Sequence, residues 1–433
     1  MLRKFGDMFE IAELRQRIIF TVLLLIVYRI GSHITTPGVD ITVLKDFFAR
    51  GGGGVLGLYD YFVGGNLSNA TIFALGIMPN ISASIILQLL QPVIPYLERL
   101  SKEGEEGRRK INQYTRYLTV GLALFQAVGI GLFLEQLGVV AHPGFGFRLL
   151  TMITMTAGTI FVMWLGEQIT ERGIGNGISL IIFIGIIARF PAEIINTVRS
   201  VFVAQTLNIF VGAFLLAMMV AVTALTILIT QGQRRIPVQY ARRIVGRKMF
   251  GGRQTHLPLR INTAGVIPIV FAQSIIVLPG SMAEFMRNNQ FAQDLAFVLR
   301  PGHWVYLTLY VVTILFFTYF YTAIVFNPMD IAENMRKNGG FIPGIRAGKS
   351  TAEFIDRVLS RITLPGAVFL AFIAVLPDML IRRAGVPFYF GGTGLLIVVG
   401  VALDTLQQIE SHLLMRHYDG FLKKGRLRGR SGF

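Results

Sequence analysis

Runs of mainly apolar residues, each about 20 long, recur along the chain and constrain its fold more than any other feature. A helical run of this length matches the ~30 Å hydrocarbon core of a bilayer. With an apolar content of 53%, the pattern predicts an all-α polytopic membrane protein of roughly ten spans. The predicted spans are centred near Leu24, Ile85, Phe125, Ile160, Ile182, Leu216, Ile269, Val312, Leu370 and Val399.

The Lys and Arg residues behind the net charge of +17 are concentrated in alternate connections between these spans. The positive-inside rule therefore places both termini and the basic loops in the cytoplasm. Two interpretations of the basic loops stay open. They dock an anionic partner, either ribosomal RNA or an acidic face of a motor protein, or they only set topology and attract anionic membrane lipids. The basic connections are 98–117, 171–177, 231–261 and 327–361, with the tail 411–433.

A short segment between the first two predicted spans, Val55–Ala70, is too short and too polar to cross a membrane. It follows the glycine run 51–54, which we expect to be a flexible approach. Non-helical backbone at membrane depth is tolerated only where protein or a water-filled cavity surrounds it. The segment is therefore interpreted as a re-entrant or plugging element, with an ordinary surface loop as the alternative.

Two cytoplasmic connections have internal structure of their own. The loop 231–261 alternates basic with apolar residues around Gly251 and Gly252, which predicts a projecting hairpin. The loop 327–361 predicts a short helix over Asp330–Lys337, a Gly/Pro turn, and a second helix from Thr351. The ten predicted spans divide into five and five at the connection near residues 199–208. Because five is an odd number, the two halves are predicted to have opposite orientations in the membrane.

Patterns for catalysis are weak. The fragment Pro343–Ser350 lacks the first glycine of a phosphate-binding loop and belongs to no α/β domain. There is no cysteine, and the six histidines are scattered without a metal-ligand spacing inside a span. We therefore predict no enzymatic activity, no cofactor and no metal site.

Ion-coupled transport is the main alternative function. It usually requires ionisable groups at mid-membrane, whereas here Arg29, Glu167 and Asp404 lie near span ends. The spans instead combine isoleucine and valine runs with uncharged polar residues, which favours a conduit with an apolar constriction. A third alternative is an insertase or scaffold without a pore. The uncharged polar residues are Ser82, Ser84, Gln88, Asn262, Gln273 and Ser274.

Six internal motifs and the tail resemble the bacterial SecY family, the channel subunits of the Sec protein translocon. The motifs are FALGIMPNISASIILQLLQ (73–91), KEGEEGRRKINQYTRY (102–117), WLGEQITERGIGNG (164–177), GQRRIPVQYARR (232–243), NTAGVIP (262–268), GFIPGIRAG (340–348) and HYDGFLKKGRLRGR (417–430). The resemblance implies a ten-helix clamshell of two inverted five-helix halves, 1–200 and 201–410, with the cytoplasmic tail 411–433. It also implies a plug at about 55–70, an hourglass pore and a lateral gate.

The same resemblance implies a function, a location and partners. The function is translocation of unfolded secretory polypeptides across the bacterial cytoplasmic (inner) membrane, with release of transmembrane segments into lipid. The energy would come from the SecA ATPase or from the ribosome. Other implied partners are the SecE and SecG membrane subunits, signal peptides, nascent polypeptides and membrane lipids.

Site residues carried over from the resemblance fall into four groups. The implied pore ring is Ile77, Ile81, Ile178, Ile182, Val270 and Ile397. The implied plug residues are Leu58, Tyr59, Phe62, Gly64, Gly65, Leu67 and Ser68. The implied lateral-gate residues are Gln88 and Asn262. The implied residues for docking SecA or the ribosome are Arg234, Arg235, Arg242, Arg243, Arg247, Lys248 and Arg346.

Three positions depart from the family pattern. Asn80 stands where tyrosine is common, Ala347 replaces a proline after Arg346, and Val270 is one methylene smaller than the commoner isoleucine. These departures affect the expected pore lining and the rigidity of the loop tip.

Overall fold

The computed structural model describes residues 11–49, 54–202, 208–240, 243–245, 248–250, 254–285, 289–384 and 392–424. The first part of the chain forms α1 (Ala12–Gly31), α2 (Ile41–Ala49), α3 (Gly54–Phe62), α4 (Met78–Leu90), α5 (Pro95–Lys102), α6 (Glu105–Gln136), α7 (Phe145–Arg172), α8 (Gly177–Ile187) and α9 (Phe190–Phe202). The second part forms α10 (Ile209–Gln231), β1 (Gln233–Tyr240), β2 (Arg243–Val245), β3 (Lys248–Phe250), β4 (Gln254–Arg260), α11 (Ile267–Phe285), α12 (Gln290–Val298), α13 (Trp304–Val325), α14 (Pro328–Lys337), β5 (Gly340–Phe341), α15 (Lys349–Ala384) and α16 (Gly392–Lys424).

The described residues contain eight helices long and apolar enough to cross a membrane, or nine if α4 and α5 form one broken span. These two helices meet at an angle of 100° where Pro92 separates them. Helix α1, the predicted first span, is not among the eight; it carries Glu13, Arg15, Arg17 and Arg29. The all-α polytopic class is thus confirmed, while ten spans remain the sequence-based count.

The chain packs as two compact units. Unit 1 comprises Met1–Ala192, Glu284–Arg287 and Val401–Phe433, and unit 2 comprises Glu193–Ala283 and Asn288–Gly400. Within unit 1, Leu14 near the start of α1 and Ile174 form a buried cluster that includes Ile409 and Leu413 of α16. Helix α16 thus continues beyond residue 411, where the tail was predicted to begin. The predicted domain boundaries at 200 and 410 remain sequence-based.

The longest helices of unit 1, α6 and α7, are joined by ion pairs near both ends. At one end, Arg116 donates two hydrogen bonds of 2.8 Å to the carboxylate of Glu167. At the other end, Arg148 donates to Glu135, which also accepts from the backbone N–H of Gly144. The bidentate Arg116–Glu167 pair constrains geometry as well as charge, so it helps to fix the register of this hairpin.

In unit 2, the two structured cytoplasmic connections fold together. Strands β1 and β4 pair antiparallel from Gln233↔Arg260 to Gln239↔Gln254, which confirms the predicted hairpin. Strand β5 adds to the other edge of β1. One buried cluster then joins the sheet to α14 and α15. It contains Ile236, Val238, Leu259, Met335, Ile342, Ile355, Val358 and Leu359. We call this assembly of β1, β4, β5, α14 and the start of α15 the cytoplasmic module.

A glycine at a close crossing gives a stability test. A methyl group on Gly158 of α7 would lie 2.0 Å from the carbonyl oxygen of Ile72, whereas one on Gly121 of α6 would meet nothing within 4 Å. Gly158→Ala should lower the free energy of unfolding by about 1–3 kcal/mol through overpacking. Gly121→Ala should raise it by up to about 1 kcal/mol through helix propensity.

Thermal unfolding of both variants in detergent tests whether the two substitutions change stability in opposite directions. Equal stabilisation by both substitutions would show that the Gly158 crossing relaxes without penalty.

Candidate functional site

The segment 54–70 is buried within unit 1. It forms the nine-residue helix α3 and a series of turns, and eight of its apolar side chains are at most 7% exposed. An ordinary surface loop is therefore excluded for this segment. We call residues 54–70 the plug segment. Its larger buried apolar residues are Val55, Leu56, Leu58, Tyr59, Tyr61, Phe62, Val63 and Leu67, and Ala70 is buried as well.

Glycines allow the plug segment to turn sharply after α3. Gly64 and Gly65 have φ values of +76° and +84°, a conformation that strongly favours glycine. Gly64 also packs against helix α8, where an added methyl group would lie 2.7 Å from the Cα of Gly185. Gly54, predicted as part of a flexible approach, is instead the first residue of α3. The rest of that approach, 51–53, lies outside the described residues.

Hydrogen bonds hold the plug segment at three points along its length. The Tyr59 hydroxyl donates to the carbonyl of Leu75 at 2.8 Å, and the Asn66 amide donates to the Tyr28 hydroxyl at 3.1 Å. The backbone N–H of Thr36 donates to the carbonyl of Ala70 at 2.7 Å. These bonds satisfy polar groups that burial would otherwise penalise, so they specify one position of the segment.

An ion pair, which we call the latch, joins the plug segment to Arg189 in the turn after α8. The Arg189 guanidinium donates to both the carboxylate and the carbonyl of Asp60, each at 3.2 Å. The other carboxylate oxygen accepts from the backbone N–H of Ser68 at 2.9 Å. Arg189 lies in one of the connections predicted on the outer side, which carry isolated charges. No local pattern relates two residues 129 positions apart, so sequence reasoning missed the latch.

The four pore-ring candidates of unit 1 lie on two elements. Ile77 precedes α4 and accepts the backbone hydrogen bond of Ile81, so the two side chains stand one turn apart. Ile178 and Ile182 lie on α8; Ile182 is 5% exposed, and Ile178 is half-buried with its Cγ1 close to Gly166 of α7.

The two remaining candidates lie in unit 2. Val270 is half-buried on α11, and Ile397 is 1% exposed on α16. The ring of six stays a prediction from the resemblance.

The two lateral-gate candidates lie in different units. Gln88 is half-buried near the end of α4, and Asn262 precedes α11 with its amide nitrogen bonded to the carbonyl of Gly265 at 3.0 Å. The gate itself stays a prediction. Two other amides do bond between helices: Asn80 of α4 donates to Thr119 of α6, and Gln273 of α11 accepts from Tyr310 of α13.

The docking candidates lie on the cytoplasmic module or in its hairpin. Arg234 and Arg235 are exposed on β1, while Ile236 beside them is buried. Arg346 is exposed between β5 and α15, and its carbonyl accepts from the Thr351 hydroxyl at 2.8 Å. Arg243 and Lys248 begin strands β2 and β3, and Arg242 and Arg247 lie outside the described residues.

The fragment 343–350 does not form a phosphate-binding loop. It follows β5, a two-residue strand of an antiparallel sheet, and enters α15 at Lys349. A phosphate-binding loop would follow a buried parallel strand of an α/β domain. The fragment instead forms the tip that displays Arg346.

A set of apolar spanning helices that encloses a short, hydrogen-bonded plug segment is the architecture of a gated membrane channel. The chain belongs to the SecY family, whose family model matches residues 71–406. It is 46% identical to the protein translocase subunit SecY of Aquifex aeolicus, with 96% of this chain and 98% of that protein covered. It is 48% identical to that of Pseudomonas aeruginosa, with 97% and 95% covered.

Solved structures share the fold at much lower identity. A protein-conducting channel matches with a TM-score of 0.66 at 16% identity, covering 96% of this chain and 95% of that one. Sec61 in the canine ribosome–channel complex matches with a TM-score of 0.63 at 16% identity and the same coverage.

Proposed function

We propose that this chain is the pore-forming subunit of the Sec protein-conducting channel in the bacterial cytoplasmic membrane. It carries unfolded polypeptides across the membrane and releases transmembrane segments into lipid. The observation that supports this most directly is the plug segment, buried and latched among spanning helices of a SecY-family chain. A solved relative has a plug domain that stabilises the closed state of the translocation channel.

The pore ring and gate complete the proposal. Aliphatic side chains at the constriction, Ile77, Ile81, Ile178, Ile182, Val270 and Ile397, fit around a passing chain and offer ions no ligand. The proposed lateral gate includes Gln88 and Asn262 at its seam. Uncharged amides bond across such a seam for about 0.6–2 kcal/mol, which a competing apolar signal peptide can offset.

The cytoplasmic module supports docking over a purely topological role for the basic loops. Its own buried cluster gives it a defined surface on which Arg234, Arg235 and Arg346 are exposed. Flexible loops would suffice for orientation in the membrane or for attraction to lipid. The proposed docking partners are SecA and the ribosome, and SecE and SecG are the proposed membrane subunits. Sec61, a structural neighbour, is in a ribosome–channel complex.

Energy for transport comes from outside the chain in this proposal, and the chain itself is not an enzyme. Reconstitution tests this directly. Vesicles containing the chain with SecE should protect a precursor from protease only when SecA and ATP, or a translating ribosome, are supplied. Protection without any of these would contradict the proposal. Saturable uptake of a small solute by the chain alone would favour the transporter alternative.

Replacing Arg346 with alanine should reduce SecA-dependent translocation roughly tenfold or more, because a charge-assisted contact worth about 1.5–3 kcal/mol is lost. The measurement is precursor translocation together with SecA ATPase stimulation in the same vesicles. Arg300→Ala, at an exposed arginine before α13, is the matched control. Equal activity of Arg346→Ala and the control would remove Arg346 from the docking site.

A further inference from the structure

We propose that a cavity between the outer end of α1, α2 and the plug segment binds the phosphate group of an anionic phospholipid. The cavity has a volume of about 330 Å³. Its lining includes Arg29, Ser32, His33, Lys45, Asn66 and Asn69, all within unit 1. Two cationic side chains supply positive charge here. The amides of Asn66 and Asn69 each donate one N–H within the chain and keep a second N–H for a phosphate oxygen.

Two basic residues at one cavity are unusual for the outer side of this chain. Connections on the outer side carry few Lys and Arg residues, yet Arg29 and Lys45 meet at this one cavity. Among the described residues, no carboxylate lines the cavity, and neither base forms an ion pair with an acid. The lining that the structure describes is therefore positively charged.

Two acids of the adjoining segments are engaged in other contacts. Asp60 accepts from Arg189 and Ser68 in the latch. Asp40 accepts from the hydroxyl and the backbone N–H of Thr42. The Thr42 bonds hold the pKa of Asp40 below its ordinary value, so this carboxylate stays bonded within its own turn. An external anion could therefore neutralise the two bases that line the cavity.

A lipid fits better than a free anion because apolar surface adjoins the bases. Ile26 and Ile30 are 49% and 61% exposed one turn apart on α1, beside Arg29 in its last turn. Ile34 in the following turn is 51% exposed. Helix α1 is the predicted first span, and the end of a span lies at headgroup depth, where an acyl chain would follow the exposed isoleucines while the phosphate enters the cavity.

Occupancy of the cavity is coupled to the position of the plug segment. Gly64, Asn66 and Asn69 belong to that segment and line the cavity, so displacement of the segment would dismantle the site. A ligand that binds only one arrangement stabilises it by linkage. This consequence rests on the proposed function, whereas lipid binding itself does not.

The test is a lipid titration of the full-length chain purified with its membrane subunits in a neutral detergent. The probes are dihexanoyl-phosphatidylglycerol, dihexanoyl-phosphatidylcholine and inorganic phosphate, and the readout is the unfolding temperature. We expect saturable stabilisation by phosphatidylglycerol and none by phosphatidylcholine. The double variant Arg29→Gln/Lys45→Gln should weaken the apparent affinity roughly tenfold or more, since each base contributes to attraction of the headgroup. Arg300→Gln should leave it unchanged.

Saturation by inorganic phosphate but not by phosphatidylglycerol would assign the cavity to free phosphate and overturn the lipid proposal. So would an affinity that the double variant leaves unchanged. Lys45→Gln alone, at an exposed side chain, keeps the test available if Arg29→Gln destabilises the fold. Native mass spectrometry of retained phosphatidylglycerol gives an independent readout. A chain that translocates precursor but binds no phosphatidylglycerol contradicts this inference alone.

Discussion

Replacing Arg189 with glutamate should turn an electrically silent channel into one that opens frequently. The change removes the donor of both hydrogen bonds to Asp60 and places a second carboxylate beside a side chain that is only 4% exposed. Breaking a buried pair costs about 3–5 kcal/mol. Because 32% of the Arg189 side chain is exposed, we expect about 2–3 kcal/mol here. That is a shift of roughly 30- to 160-fold from closed toward open.

The measurement is single-channel conductance in planar bilayers with the chain and SecE. A variant lacking residues 58–69 sets the upper limit of opening, because it removes most of the plug segment. Arg199→Glu, at an exposed arginine of α9, is the matched charge reversal. If Arg189→Glu stays silent while the deletion conducts, the latch does not hold the plug segment closed.

The latch also permits a double-mutant cycle. Asp60→Asn and Arg189→Gln each remove one charge, and the combined variant removes both. If the two groups act on one another, the combined variant should open less than the sum of the single effects. Additive effects would show that Asp60 and Arg189 act on opening independently.

Replacing Ile81 and Ile182 with serine should produce a second large effect, a persistent ion leak in the background that lacks residues 58–69. A constriction of aliphatic side chains excludes ions by dewetting, and two hydroxyl groups let water remain in it. We expect roughly a tenfold larger mean current than the deletion alone gives. Both isoleucines are 5% exposed, so serine at either position also costs packing energy. Single variants at each position, checked for folding, distinguish an increase in conductance from a loss of folding.

Planar-bilayer recordings check this, and the matched control is Ile86→Ser with Ile184→Ser on the same two helices. Both control residues are partly buried and lie at other angles around α4 and α8 than Ile81 and Ile182. An equal leak in the control pair would attribute the effect to looser helix packing. If the deletion is silent and the serine pair makes it conduct, the isoleucines seal the pore without the plug segment.

Local patterns in the sequence predicted several elements well. The apolar runs correspond to long helices, loop 231–261 forms the predicted hairpin, and α14 occupies Pro328–Lys337 where Asp330–Lys337 was expected. Each depends on interactions within a few residues or within one run, such as turn chemistry and hydropathy. The resemblance to the SecY family, carried by contiguous motifs, likewise needed no tertiary information.

Longer-range arrangements were beyond the sequence patterns. Hydropathy could not tell a buried plug segment from a surface loop, since its polar residues suit either environment until their partners are known. The two basic loops were predicted as separate elements, yet Ile236 and Ile355 meet in one core.

What the sequence by itself determined is therefore that the chain is a polytopic, mainly helical membrane protein and to which family it belongs, while the orientation of its spans stays a prediction. The tertiary structure decided that Asp60 is paired with Arg189, that the cytoplasmic loops form one module, and that Arg29 and Lys45 line one cavity. The physical reason is that hydropathy and positive charge are properties of each segment by itself. Every segment meets the same solvent, the bilayer and its surfaces, so these properties can be read without the tertiary structure. Pairing of buried polar groups depends instead on which segments packing brings within hydrogen-bonding distance.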